Sequence, residues 1–161
     1  MRKFLIFASL FSAQADMAAE VPHHPKSLEA KQDPRTIRLR HFFEAHGCPL
    51  RRFAEDFIEE ADRNMLDWRL LPSISFVESS GGKYQKNNNV FGWDSCRVGF
   101  TSIRAGIREV AAQLGRGKLY RGKNLNAVLK TYNPRPEYAV KVKAVMNSLG
   151  PTYPELAVAL D

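Results

Sequence analysis

Between Thr36 and Leu149 the chain repeatedly sets apolar residues three and four positions apart, the spacing of one helical face. Ile37, Leu39, Phe42 and Phe43 predict a first short helix, stopped near Gly47. Pro49 stands where a second begins, and Phe53, Phe57, Ile58 and Ala61 give it one strongly apolar side with charges opposite. Asp67 is a candidate N-cap for a third helix, with Trp68 in its first turn and Leu70, Leu71, Ile74 and Val77 along it. Thr101 or Ser102 caps a fourth, whose face is Ile103, Ile107, Val110, Ala111 and Leu114, ended by Gly115 and Gly117. Asn124 caps a short fifth through Leu125, Val128, Leu129 and Tyr132, stopped by Pro134 and Pro136. Tyr138, Val142, Val145 and Leu149 mark the last, closed by Gly150-Pro151. Residues 80–100 break the pattern. They follow Ser79 with Ser80-Gly81-Gly82, the triplet Asn87-Asn88-Asn89, and then Val90-Phe91-Gly92-Trp93. The two large aromatics there predict a loop, or a short β-hairpin, folded back onto a mainly α body.

One residue disturbs the apolar pattern. Leu71, Ile74 and Glu78 fall at i, i+3 and i+7, so a carboxyl shares a stripe with core residues at the end of the third helix. Burial disfavours the charged carboxylate and raises its pKa. An acid kept protonated near neutral pH can act as a general acid. The competing reading is a slightly rotated helix and a solvated Glu78.

The ends of the chain differ from its middle. Arg2-Lys3, the apolar run Phe4 to Phe11 and the small-x-small Ala13-Gln14-Ala15 read as a secretory signal over residues 1–15. The apolar run is too short to span a bilayer. Residues 16–35, with Pro22, His23, His24, Pro25 and Asp33-Pro34, read as a flexible linker. Residues 36–150 then form one helical domain, and 151–161 a C-terminal tail. An exported protein, periplasmic or extracellular and without stable membrane insertion after removal of the signal, is expected.

Composition narrows this little. The chain has 161 residues, room for one domain with a core. Its 44% hydrophobic content excludes wholesale disorder. A formal charge of +7 suits an anionic partner, whether nucleic acid, membrane or acidic polymer. The cations look scattered, with no long basic run and no nucleic-acid module, so nucleic acid is not the expected partner. Cys48 and Cys96 are an even pair in an exported chain and are expected to form a disulfide contributing about 4 kcal/mol. The alternatives are a metal site, for which His46 and Cys48 supply only two ligands, or two unpaired thiols. No metal or cofactor is expected.

The run from Leu70 to Gly82, with its Glu78-Ser79 pair at a helix end, resembles the catalytic helix of bacterial lysozyme-like muramidases and lytic transglycosylases. Asn88-Asn89-Val90-Phe91-Gly92-Trp93 is similar to the Asn-x-Phe-Gly-Trp loop of the endo-β-N-acetylglucosaminidase-like branch of that superfamily. Tyr132-Asn133 resembles the Tyr-Asn pair lining the transglycosylase cleft. The three occur in the family's order, over roughly Ile37 to Leu149. Lytic transglycosylases ordinarily follow the catalytic Glu with Gly-Leu-Met-Gln; here the Asn-Val-Phe-Gly-Trp loop takes its place.

The resemblance implies a lysozyme-like helical domain, acting as a monomer on peptidoglycan glycan strands, with Glu78 as acid for a β-1,4 glycosidic bond. Glycosidases usually need a second carboxylate. Asp94 is the candidate, against a solvated loop aspartate; failing it, the sugar's own N-acetyl group assists. Phe91 and Trp93 either stack on sugar rings or pack the core. Tyr132 either bonds substrate or is a core tyrosine. Asn89 either orients the loop or binds an acetamido group. A non-catalytic wall-binding protein of the same fold is the alternative.

Overall fold

The computed structural model describes residues 32–152. The expected signal peptide, nearly all of the expected linker and the end of the tail lie outside the described residues. Within them are six α-helices: α1 (Pro34–Ala45), α2 (Ala54–Arg63), α3 (Leu70–Ser79), α4 (Ile103–Arg116), α5 (Leu125–Tyr132) and α6 (Pro136–Ser148). Short 3-10 turns occupy Pro49–Phe53 and Trp93–Cys96. The expected β-hairpin is reduced to an isolated bridge between Lys86 and Asn89, with no strand among the described residues. The protein is mainly α.

The first helix starts earlier than its apolar pattern suggests. Asp33 accepts a hydrogen bond from the Arg35 amide at 2.8 Å, and Pro34 follows at the first helical position. An Asp cap followed by proline is a strong helix start, so the last residues of the expected linker belong to α1. Arg35 then bridges Asp33 and Asp62, the latter at 2.7 Å, joining the start of α1 to the end of α2. Pro49 opens a 3-10 turn instead of the second helix, which begins at Ala54.

The third helix is buried almost all round, as a helix apolar on every side must be. Leu71, Ile74, Ser73 and Ser75 have no exposed surface. Helices α2 and α6 pack against it. Asp67 does not cap it directly; its carboxylate accepts from the Arg69 amide at 3.0 Å, and the helix starts at Leu70. Trp68 lies in the turn before and donates Nε1 to the Thr152 carbonyl at 2.8 Å. Ser102 and Asn124 cap α4 and α5, each accepting from an amide three residues on at 3.0 Å. Gly115 lies inside α4 instead of ending it. A Cβ there would sit 2.4 Å from the Asn64 carbonyl oxygen, so the glycine lets α4 touch the end of α2.

Cys48 and Cys96 are not near each other and both are free. This corrects the expected disulfide. Cys48 is sealed beneath the turn after α3, its Sγ 3.5 Å from the Ser80 carbonyl, and burial pushes its thiol pKa up. Cys96 is exposed on the 3-10 turn after Trp93. An even count of cysteines fixes no distance between them. The native protein should therefore take up one equivalent of a thiol reagent rapidly, at Cys96, and a second only on unfolding. A native protein with no reactive thiol by mass spectrometry would contradict this arrangement.

Candidate active site

Glu78 is the penultimate residue of α3. Leu71 and Ile74 on its stripe are fully buried and Glu78 is half-buried, one turn further on. The helix ends because Ser80 turns left-handed, with φ 51° and ψ 47°. The Gly81 amide then bonds back to the Ser75 carbonyl at 3.2 Å. Gly81 and Gly82 let this turn press onto the segment below: a Cβ on Gly81 would lie 2.4 Å from Cys48 Sγ. Ser79 fixes the turn from inside. Its buried hydroxyl lies 2.8 Å from the Val90 carbonyl and accepts from the Gly82 amide at 3.0 Å. The serine of the Glu-Ser pair is thus a structural tie between α3 and the loop beyond.

That loop closes over the carboxyl. Gly92 has φ +60°, and a Cβ built there would stand 2.6 Å from Glu78 Oε2. Backbone therefore lies directly against the acid, where only glycine fits. Asn89 shapes the loop. It is 1% exposed, its Nδ2 donates to the carbonyls of Trp93 (2.9 Å) and Val98 (2.8 Å), and its Oδ1 accepts from the Trp93 amide at 3.0 Å. Of the two roles open to it, orienting the loop is the one its contacts fill. Phe91 is wholly buried, edge-on to Phe57 at 6.2 Å, so it serves the core and presents no face for a sugar.

An open cavity of about 490 Å³ lies over Glu78. Gly92, Trp93 and Asp94 form one side of it, and Tyr132 and Asn133 another. Leu119 and Tyr120, on the loop between α4 and α5, complete the wall; Leu119 is 61% exposed. Trp93 meets Tyr132 edge-on at 5.6 Å and Tyr120 at 6.1 Å. Tyr132 donates its hydroxyl proton to the Phe91 carbonyl at 2.6 Å, which binds α5 to the loop over Glu78 and leaves only its oxygen lone pairs for a ligand. Asp94 lines the cavity but is ion-paired with Arg97. Asp94, Ser95 and Cys96 all have positive φ, a strained run at the rim.

The electrostatics of the site follow from this packing. Burial raises the Glu78 pKa above its ordinary 4.5. The C-terminal end of a helix also disfavours negative charge. Tyr138, from the first turns of α6, works the other way. Its hydroxyl is buried with no hydrogen bond of ordinary geometry, and its approach to Glu78 favours the charged carboxylate and moderates the rise. Burial and the nearby carboxylate push the Tyr138 phenol up in turn. Tyr138 also stacks on Tyr132, with centroids 5.8 Å apart and planes 3° from parallel.

Of the sequence-predicted residues, Glu78, Trp93, Asp94 and Tyr132 meet at one cavity, while Asn89 and Phe91 support it from the interior. Tyr120 and Tyr138 were missed. Tyr138 looked like a core residue of the last helix, and only its hydroxyl, polar on an apolar stripe, marked it. A comparison with protein-family models, curated proteins and solved structures found no match.

Proposed function

We propose that the protein is an exported glycosidase of lysozyme-like fold that cleaves β-1,4 linkages in the glycan strands of peptidoglycan. The observation that carries this reading is a half-buried carboxyl of raised pKa, set under a glycine and facing an aromatic-walled cavity. Glu78 protonates the leaving glycosidic oxygen. Trp93 offers a face against a sugar ring, and Tyr120, buried beside it at 6.1 Å between ring centroids, supports it. Among the described residues that line the cavity the only other carboxylate is Asp94, and Arg97 already engages it. The reacting centre is then supported by the substrate itself, through the N-acetyl group of an amino sugar. Incubating the protein with purified cell wall tests the proposal. Release of soluble fragments with a new sugar end supports it, and an undigested wall would leave a wall-binding protein.

Tyr138 gives this reading a pH signature. Its hydroxyl favours ionised Glu78, so Tyr138→Phe should raise the Glu78 pKa further. The reaction needs the protonated acid, so activity falls as pH rises through that pKa. The alkaline limb of kcat/KM should accordingly move to higher pH in Tyr138→Phe. A limb that stays in place while the rate falls would make Tyr138 a packing residue only.

A further inference from the structure

The cations of this chain are not evenly distributed once acids are counted with them. Residues 116–143 contain eight of the chain's 24 lysines and arginines and one of its 17 acids, Glu137. Run length hides this, because the cations are separated by neutral residues and not by acids. The rest of the described body is nearly balanced, and its arginines are largely paired: Arg35, Arg51, Arg63, Arg69, Arg97, Arg104 and Arg108 all hold carboxylates. Among the described residues, no cation of 116–143 makes an ion pair.

These unpaired charges adjoin the cavity. One of its walls is Leu119, Tyr120, Tyr132 and Asn133. Lys118 and Arg121 flank the first two in the chain, and Arg135 follows the last by two residues; all three are exposed. Within the segment Lys123 Nζ donates to Thr131 Oγ1 at 2.7 Å, holding the loop to α5, and Lys143 holds α6 to Asn126 of α5. A surface of one sign beside a cleft raises the local concentration of an oppositely charged ligand, an effect that salt screens.

We infer that this face selects a polyanionic glycan, a strand bearing carboxylates at intervals, over a neutral strand of the same sugars. The inference rests on the glycosidase reading for the cavity and adds a determinant of substrate choice outside it. Lys118, Arg121 and Arg135 meet the carboxylates carried by the strand, while its sugars lie in the cavity against Trp93.

The test uses the full chain with Glu78→Gln, so that binding is read without cleavage. The probes are peptidoglycan strands with their peptide carboxylates free, the same strands with those carboxylates amidated, and duplex DNA. At about 20 mM salt the free-carboxylate strand should bind about 10-fold more tightly than the amidated one, and about 300 mM salt should remove most of the difference. Adding Lys118→Gln, Arg121→Gln and Arg135→Gln together should abolish the preference. Arg40→Gln, Arg51→Gln and Lys86→Gln, which remove the same charge elsewhere, should retain it. Circular dichroism on both triple variants verifies folding. Equal binding of the two strands, or equal effects of the two triple variants, would overturn the inference. So would DNA bound as tightly as the acidic strand and lost with the first triple variant, which would assign the face to nucleic acid. Cleavage by wild type without a carboxylate preference sinks this inference and leaves the enzyme reading; preference without cleavage does the reverse.

Discussion

Glu78→Gln is expected to fold, to bind glycan strands, and to cleave them about 10²–10⁴-fold more slowly than wild type. The amide keeps the shape of the acid and its place under Gly92, but carries no proton of useful acidity. Its effect on stability has the opposite sign. A carboxyl whose folded pKa lies above its ordinary value costs nothing while both folded and unfolded chains are protonated, below about pH 4.5. The cost grows as pH rises from there through the raised folded pKa, because the unfolded chain ionises first. Glu78→Gln should therefore melt higher than wild type at neutral pH, with the gap closing toward pH 4. Digestion of cell wall at the wild-type rate by this variant would end the enzyme proposal. A stability gap independent of pH would show that the Glu78 pKa is not raised by folding.

That expectation comes from one stripe of the sequence, and periodicity was a sound guide wherever packing is local. It located the apolar faces of α4 and α5 with their caps, and it put Glu78 beside Leu71 and Ile74. It failed where tertiary contacts decide. Gly115 has the composition of a helix stop, yet Asn64 across the helix pair explains it better than any local rule. Asn89 had two roles open to it, orienting the loop or binding an acetamido group, and only its contacts with four loop backbone groups tell them apart. Phe91 and Trp93 are equivalent as letters, but one is sealed against Phe57 and the other faces the cavity. Tyr120 reaches the site from a loop between two glycines, Gly117 and Gly122, with no motif to announce it. The cysteine pairing failed because it rested on count and compartment, neither of which brings two sulfurs together.

Gly92→Ala should damage activity more than stability, and it isolates the contact that defines the site. A left-handed residue with a Cβ costs about 1–2 kcal/mol, which lowers the melting temperature by several degrees. The new methyl group also overlaps Glu78, since its place lies 2.6 Å from Oε2 and 3.2 Å from the carboxyl carbon. Either the acid moves or the loop from Asn89 to Trp93 lifts, and Trp93 moves with it. A displacement of about 1 Å in a reacting group can cost about 10²-fold, so kcat should fall between about 10- and 100-fold. Gly122→Ala provides the control. Gly122 has φ +77°, so it meets a similar backbone penalty, but nothing lies within 4 Å of its would-be Cβ. Gly92→Ala should lose at least as much stability as Gly122→Ala, and only Gly92→Ala should lose most of its rate. Equal activities in two folded variants would mean that the loop does not bear on Glu78, and the cavity proposed as the active site would lose its roof.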